Sequence, residues 1–135
     1  MLATFAFDVC HDVYRAACEV IDTKIATVNL EISGKYQWSP DRLPRLAEFV
    51  ADFAMAGERA LEGSGIKLRS SRMAMFRVFY LGGAEYEAAR RHLGINELTW
   101  ADWAEEIRRN VGQELVEVGI FPPSKYFREM SKMAS

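Results

Sequence analysis

The stretch AEYEAARRHLGINELTWADWAEEIRRNVG, residues 84–112, restricts the fold more than any other because it holds two helical patterns separated by a glycine. Leu93 closes the apolar face of a short first helix. Gly94 follows, and a glycine just past the last helical turn takes the left-handed conformation with no Cβ to clash. Thr99 is the predicted N-cap of a second helix, with Asp102 near the positive end of its backbone dipoles. Apolar residues then fall at Trp100, Trp103, Ile107, Val111 and Leu115, in steps of 3, 4, 4 and 4, which is one buried stripe on a helix. That helix is expected to end at Gly119, because Ile120-Phe121-Pro122-Pro123 brings two residues with no backbone N–H to donate.

Two helices joined through a glycine turn form the skeleton of a helix-turn-helix, whose second helix enters the major groove of DNA. Ile95, Trp100 and Trp103, one, six and nine places after Gly94, match its apolar pattern. The usual small residue four places before the glycine is Arg90, with Ala88 and Ala89 just ahead of it. A helical hairpin of this size is also ordinary core in a small all-α protein. With the stripe turned inward, Ala101, Asp102, Glu105, Arg108 and Arg109 point outward. Arg108 and Arg109 suit backbone phosphates, Asn96 and Thr99 suit base edges or phosphates, and Arg69, Arg72, Arg90 and Arg91 suit flanking phosphates. Asp102 and Glu105 repel phosphate but can accept from a cytosine amino group. Each arginine taken singly also reads as a solvated charge or an intrahelical ion pair, which contributes little energy.

The whole chain is consistent with such a unit. Its 135 residues, half of them hydrophobic, suit one compact domain or two small helical units. No apolar run approaches the roughly 20 residues of a membrane span. The opening MLATFAFDVCHD lacks a basic segment ahead of its apolar residues, so a signal peptide is not expected and a cytoplasmic location is. Cys10 and Cys18, eight residues apart on one expected helix, are about 12 Å apart along its axis and do not pair; they read as small buried residues. Cys10, His11 and a distant His92 lack the clustering of a zinc site. His92, Glu105 and Glu106 are the only plausible catalytic acid and base groups near one another in sequence, and no nucleophile, phosphate loop or metal set accompanies them, so no catalysis and no cofactor are expected. The net charge of -2 counts against nucleic acid, whose affinity comes largely from neutralised phosphates, but residues 1–64 hold 6 basic against 10 acidic groups while residues 65–135 hold 11 against 9. The basic excess favours the half with the helix pair, and its small size implies weak binding or binding helped by dimerisation.

The N-terminal half predicts two more helices. From Thr4 to about Ser33, Phe5, Val9, Val13, Ala16, Val20, Ile21, Ile25, Val28 and Ile32 recur mostly at three and four. Over residues 25–38 the alternation of Val28, Leu30 and Ile32 around Ser33-Gly34 also fits a hairpin. Ser39-Pro40-Asp41 signals the second helix, delayed by Pro44, running to about Leu61 with Leu46, Phe49, Val50, Phe53, Ala60 and Leu61 inward; Gly57 either permits a close contact or weakens it. Trp38 lies between the two. Gly63-Ser64-Gly65 is the expected joint, dividing an N-terminal association or partner region, 1–63, from a DNA-binding region, 66–127, with 128–135 frayed. After it, IKLRSSRMAMFRVFYLGG reads as a basic lead-in and a buried third helix, capped by Ser70 or Ser71 and stopped by Gly82-Gly83. Phe121, Tyr126 and Phe127 are expected to cover the three-helix unit; a proline-rich ligand segment is the alternative reading of the tail.

With YLGGAEYEAARRHLGINELTWADWAEEI and GIFPPSKYF in hand, residues 66–127 resemble small phage and prophage helix-turn-helix regulators, akin to the promoter-reading fourth region of sigma factors. The carriers are the Tyr-Leu-Gly-Gly stop, the Leu-Gly-Ile turn, the tryptophan-bearing second helix and the Phe-Pro…Tyr-Phe tail. The resemblance implies a duplex-DNA-binding transcription regulator of phage or mobile-element type, or a factor that touches RNA polymerase, with no cofactor. The rival expectation is a non-catalytic helical module that contacts RNA polymerase or another regulator, and a homodimer is expected in either case. The expected fold is all-α: an N-terminal helical pair and a C-terminal three-helix unit.

Overall fold

A computed structural model of the chain describes residues 2–22, 43–62 and 66–126, with side chains over 2–21, 45–62 and 71–126. Every element in them is helical: α1 (Leu2–Asp22), α2 (Leu43–Glu62), α3 (Ile66–Met75) running into a π-helical turn (Phe76–Leu81), α4 (Tyr86–Leu93), α5 (Glu97–Glu117) and a 3-10 turn (Pro123–Tyr126). No described helix is long and apolar enough to cross a membrane. The choice of helix or hairpin over residues 25–38, Trp38, the Ser39-Pro40-Asp41 cap, the Gly63-Ser64-Gly65 joint, Phe127 and residues 128–135 lie outside the described residues.

The two halves do not have separate cores. α1 lies along α5, and α2 packs against both, so Phe7, Phe49, Phe53, Phe76, Ile107, Val111 and Leu115 belong to one buried cluster. The reason is visible on α1, where the buried residues are Ala6, Phe7, Cys10, Val13, Tyr14, Ala16, Ala17 and Val20. That face is wider than a single stripe because two helices cover it. It displaces the predicted one: Phe5 is 57% exposed and Val9 only half-buried. Burial pushes the Cys10 thiol up to about 12, as suits an inert core position.

The close approach of α1 to α5 is set at a glycine. A Cβ at Gly112 would stand 2.6 Å from the carbonyl carbon of Ala3, so α1 can lie on α5 only where α5 has no side chain. Gly57 likewise faces the Phe76 ring, which makes it a contact position of α2.

The π-helical turn ties α1 to the C-terminal half. The Gly82 N–H reaches back five residues to the Arg77 carbonyl at 2.8 Å, and the wider turn leaves later carbonyls for side chains. His11 Nε2 donates to the Tyr80 carbonyl at 2.8 Å. Tyr14 Oη and Arg15 Nη1 donate to the Leu81 carbonyl at 3.2 and 3.0 Å. Two predictions change here: α3 begins at Ile66, so the basic lead-in is helical and Ser70 and Ser71 are helix interior rather than caps.

The tail turns back, but onto α1 and α2 rather than the three-helix unit. Phe121 meets Phe5 edge to face at 6.0 Å, and Tyr126 meets Phe49 at 5.0 Å. Tyr126 Oη donates to Asp52 at 2.7 Å, while Arg45 Nε donates to the Tyr126 carbonyl at 2.7 Å.

Candidate nucleic-acid interface

The candidate surface is built by α4, the Gly94 turn and α5. Glu85 caps α4, its carboxylate accepting from the Ala88 N–H at 3.0 Å; that bond and one from Glu87 hold the carboxyl below its usual range. After eight helical residues α4 is closed by Gly94 at φ 68, whose N–H meets the Arg90 and Arg91 carbonyls. Ile95 turns into the core at 8% exposure. Asn96 then caps α5, its Oδ1 accepting from the Thr99 N–H at 2.8 Å. The N-cap is therefore Asn96 and not Thr99: three residues separate an Asx acceptor from the amide it satisfies, and Thr99 already sits in the first turn.

Trp100 fixes the pair of helices to what lies behind. Its ring takes the edge of Phe79 at 5.1 Å and of Tyr86 at 5.4 Å, joining the π turn, α4 and α5. Trp103 is only half-buried. It borders a groove of about 360 Å³ with Ser71, Ala74, Leu93, Gly94 and Ile95, and its ring lies 4.7 Å from the guanidinium carbon of Arg72.

The predicted contact residues separate into three groups. Arg72 is 6% exposed and paired with Glu106 at 2.8 Å, so it braces α3 on α5 instead of meeting phosphate. Arg108 is spanned by Asp8 at 2.8 Å and Glu105 at 3.1 Å, and serves the α1–α5 contact. Arg90 donates to Glu87 at 2.8 Å and to the Ile95 carbonyl at 3.2 Å, which ties it to the turn. The Asn96 side chain is engaged in the cap, which it closes on the Thr99 backbone N–H, and the Thr99 side chain is half-buried. Arg91 is 78% exposed, with Glu87 at 3.9 Å, and Arg109 is exposed with no ion pair among the described residues. The Arg69 side chain lies outside the described ones.

The outward face of α5 comprises Glu97, Leu98, Ala101, Asp102, Glu105 and Arg109, all exposed. Leu98, at 81% exposure, is the most open large apolar residue among the described ones, and sequence reasoning passed over it because one leucine outside a stripe carries no period. The Arg72–Glu106 brace was equally invisible, since 34 positions separate its members. His92 is exposed on the last turn of α4, and no group of three His, Cys, Asp or Glu among the described residues is placed to hold a metal ion.

Among known proteins, no family model, no characterised protein and no solved structure matches this chain.

Proposed function

We propose that this protein is a non-catalytic, sequence-specific duplex-DNA-binding transcription regulator that lays the first three turns of α5 into a groove. The observation that carries this reading is the division of α5. Its later turns are clamped by α1 at Gly112 and Arg108, while Glu97, Leu98, Ala101, Asp102 and Glu105 stay uncovered. A rigid rod with one open end is what groove recognition needs. Among the described side chains of the predicted set, Arg91 and Arg109 are available to phosphate, and Asp102 and Glu105 accept from cytosine amino groups. Two phosphate contacts per copy imply weak binding that falls about tenfold between roughly 50 and 200 mM salt.

Titration of a labelled duplex pool at those two salt concentrations tests the reading. Arg91→Ala and Arg109→Ala should each flatten the salt slope by about 0.9. Absence of binding at the lower salt refutes it.

One observation favours a second reading. Leu98 stands open between Glu97 and Asp102, with Glu105 two turns on, an apolar anchor in an acidic rim that suits a basic protein surface, such as that of a polymerase or another regulator, better than a phosphate backbone. The same titration separates the two, because this mode leaves duplex unbound at any salt and is abolished by Leu98→Glu.

A further inference from the structure

Five large apolar residues are conspicuously exposed among the described ones: Leu2, Phe5, Met55, Leu98 and Val118. Leu98 belongs to the open face of α5. The other four gather at the opposite end of that helix. Ala3 lies on Gly112, which brings the start of α1, with Leu2 and Phe5 one turn apart, to the last turns of α5. Val118 follows α5, and Met55 faces it across a groove of about 200 Å³ whose apolar lining is Met55, Ala56, Val118 and Ile120, with Asp52, Arg59 and Tyr126 as its polar side. The tail joins the two parts: Ile120 lines the groove while its neighbour Phe121 holds the edge of Phe5.

We infer that this end of the molecule is the interface with a second copy of the chain, the Leu2 and Phe5 side chains of one copy entering the Met55–Val118 groove of the other. A two-fold contact uses the same patch on both partners and so must carry both the protrusion and the recess. This patch has both, side by side. The recess fits the Phe5 ring in size, since a cavity of about 150 Å³ already holds a benzene ring, and leaves Leu2 to pack on its apolar edge. The area agrees as well. Side chains exposed by 57%, 57%, 58% and 47% at Leu2, Phe5, Met55 and Val118 leave on the order of 400 Å² of apolar surface open. That is about half of the roughly 800 Å² per partner of a standard interface, which suits the apolar centre of a dimer completed by a polar rim. Arg59, 57% exposed and beside the groove, supplies rim charge together with Glu114 at 3.5 Å. The inference does not rest on the DNA reading, because it uses none of the residues at the Gly94 end.

Sedimentation equilibrium of the full chain from about 5 to 500 μM tests it. The expected result is a monomer–dimer equilibrium within that range. Phe5→Glu and Met55→Glu should each raise the dissociation constant at least about tenfold; at concentrations where the wild type is monomeric, Met55→Glu should melt with it, its side chain being more than half exposed, whereas Phe5→Glu also loses its contact with Phe121 and melts lower. Leu98→Glu should leave the equilibrium unaltered. A monomer throughout overturns the proposal, including the case in which residues after Tyr126 cover the patch themselves. So does a dimer that tolerates both substitutions at this end.

Discussion

Replacing Gly112 with alanine is the most direct test of how this fold is held together. The added Cβ would fall 2.6 Å from the carbonyl carbon of Ala3 and 3.2 Å from its Cα, and both atoms are backbone inside α1. No rotamer change relieves such an overlap, so α1 must move off α5 over the contact that joins the two halves of the chain. Overpacking costs typically 1–3 kcal/mol, and the rigid obstacle places this case near about 3 kcal/mol. Alanine is also the better helix former by about 1 kcal/mol, which offsets part of that. The net loss is about 2 kcal/mol. For 135 residues, an unfolding entropy near 2.1 cal/mol/K per residue gives about 0.28 kcal/mol/K, so the melting temperature should fall by about 7 °C. Thermal denaturation followed by far-UV circular dichroism measures this. A variant that melts at or above the wild-type temperature would show that α1 does not lie on α5 at this point.

Three further outcomes follow from local chemistry. At Gly94 an added Cβ meets nothing within 4 Å, so Gly94→Ala meets only the backbone penalty of φ 68 and should lose about 1–2 kcal/mol in urea denaturation; a gain in stability would mean the turn is not left-handed. Burial holds the His11 imidazole below its usual 6.5, ahead of the opposing pull of the Tyr80 carbonyl. The folded chain therefore binds fewer protons than the unfolded one, stability is greatest above about pH 6.5 and falls as the pH drops below it; urea midpoints at pH 7.5 and 5.5 should differ for the wild type and less for His11→Gln, and equal differences would remove His11 as the cause. Arg72→Met breaks the pair with Glu106 and the stack on Trp103, and should cost about 2–3 kcal/mol in the same assay. Were Arg72 instead a phosphate contact, its loss would leave the melt unchanged and weaken DNA binding.

Much of the architecture was legible in the sequence wherever a local rule applied. The stop at Gly94 and the start of a tryptophan-bearing helix just after it follow from backbone sterics and capping within a few residues. The stripe at Trp100, Ile107, Val111 and Leu115 is inward as its period demanded. The Met73, Met75, Phe76 and Tyr80 cluster is buried as its all-round apolarity required. Errors began where several short-range rules compete. Ser70 and Ser71 are good caps, yet α3 starts four residues earlier at Ile66, and Thr99 loses the cap to Asn96, a stronger acceptor at the right spacing.

The candidate site was harder to read because charge pairing is a three-dimensional property. Arg72, Arg90, Arg91, Arg108 and Arg109 are equivalent letters in a chain, and only the folded molecule separates the two that are open from the three that are engaged. Asp8 meets Arg108 across 100 positions and Glu106 meets Arg72 across 34, distances over which no sequence period operates.

The sequence by itself determined most of the elements: apolar period and glycine and proline placement act within one or two helical turns, and they suffice to make the described segments helical with a sharp bend at residue 94. Only the tertiary structure decided that α1 is the partner of α5, through a missing side chain at Gly112. The same packing settled that the tail closes over α2 and that apolar surface stays open at one end of α5 and acidic surface at the other. Those outcomes depend on which faces meet, and a helix of given pattern can bury its stripe against any neighbour whose shape and charge allow it.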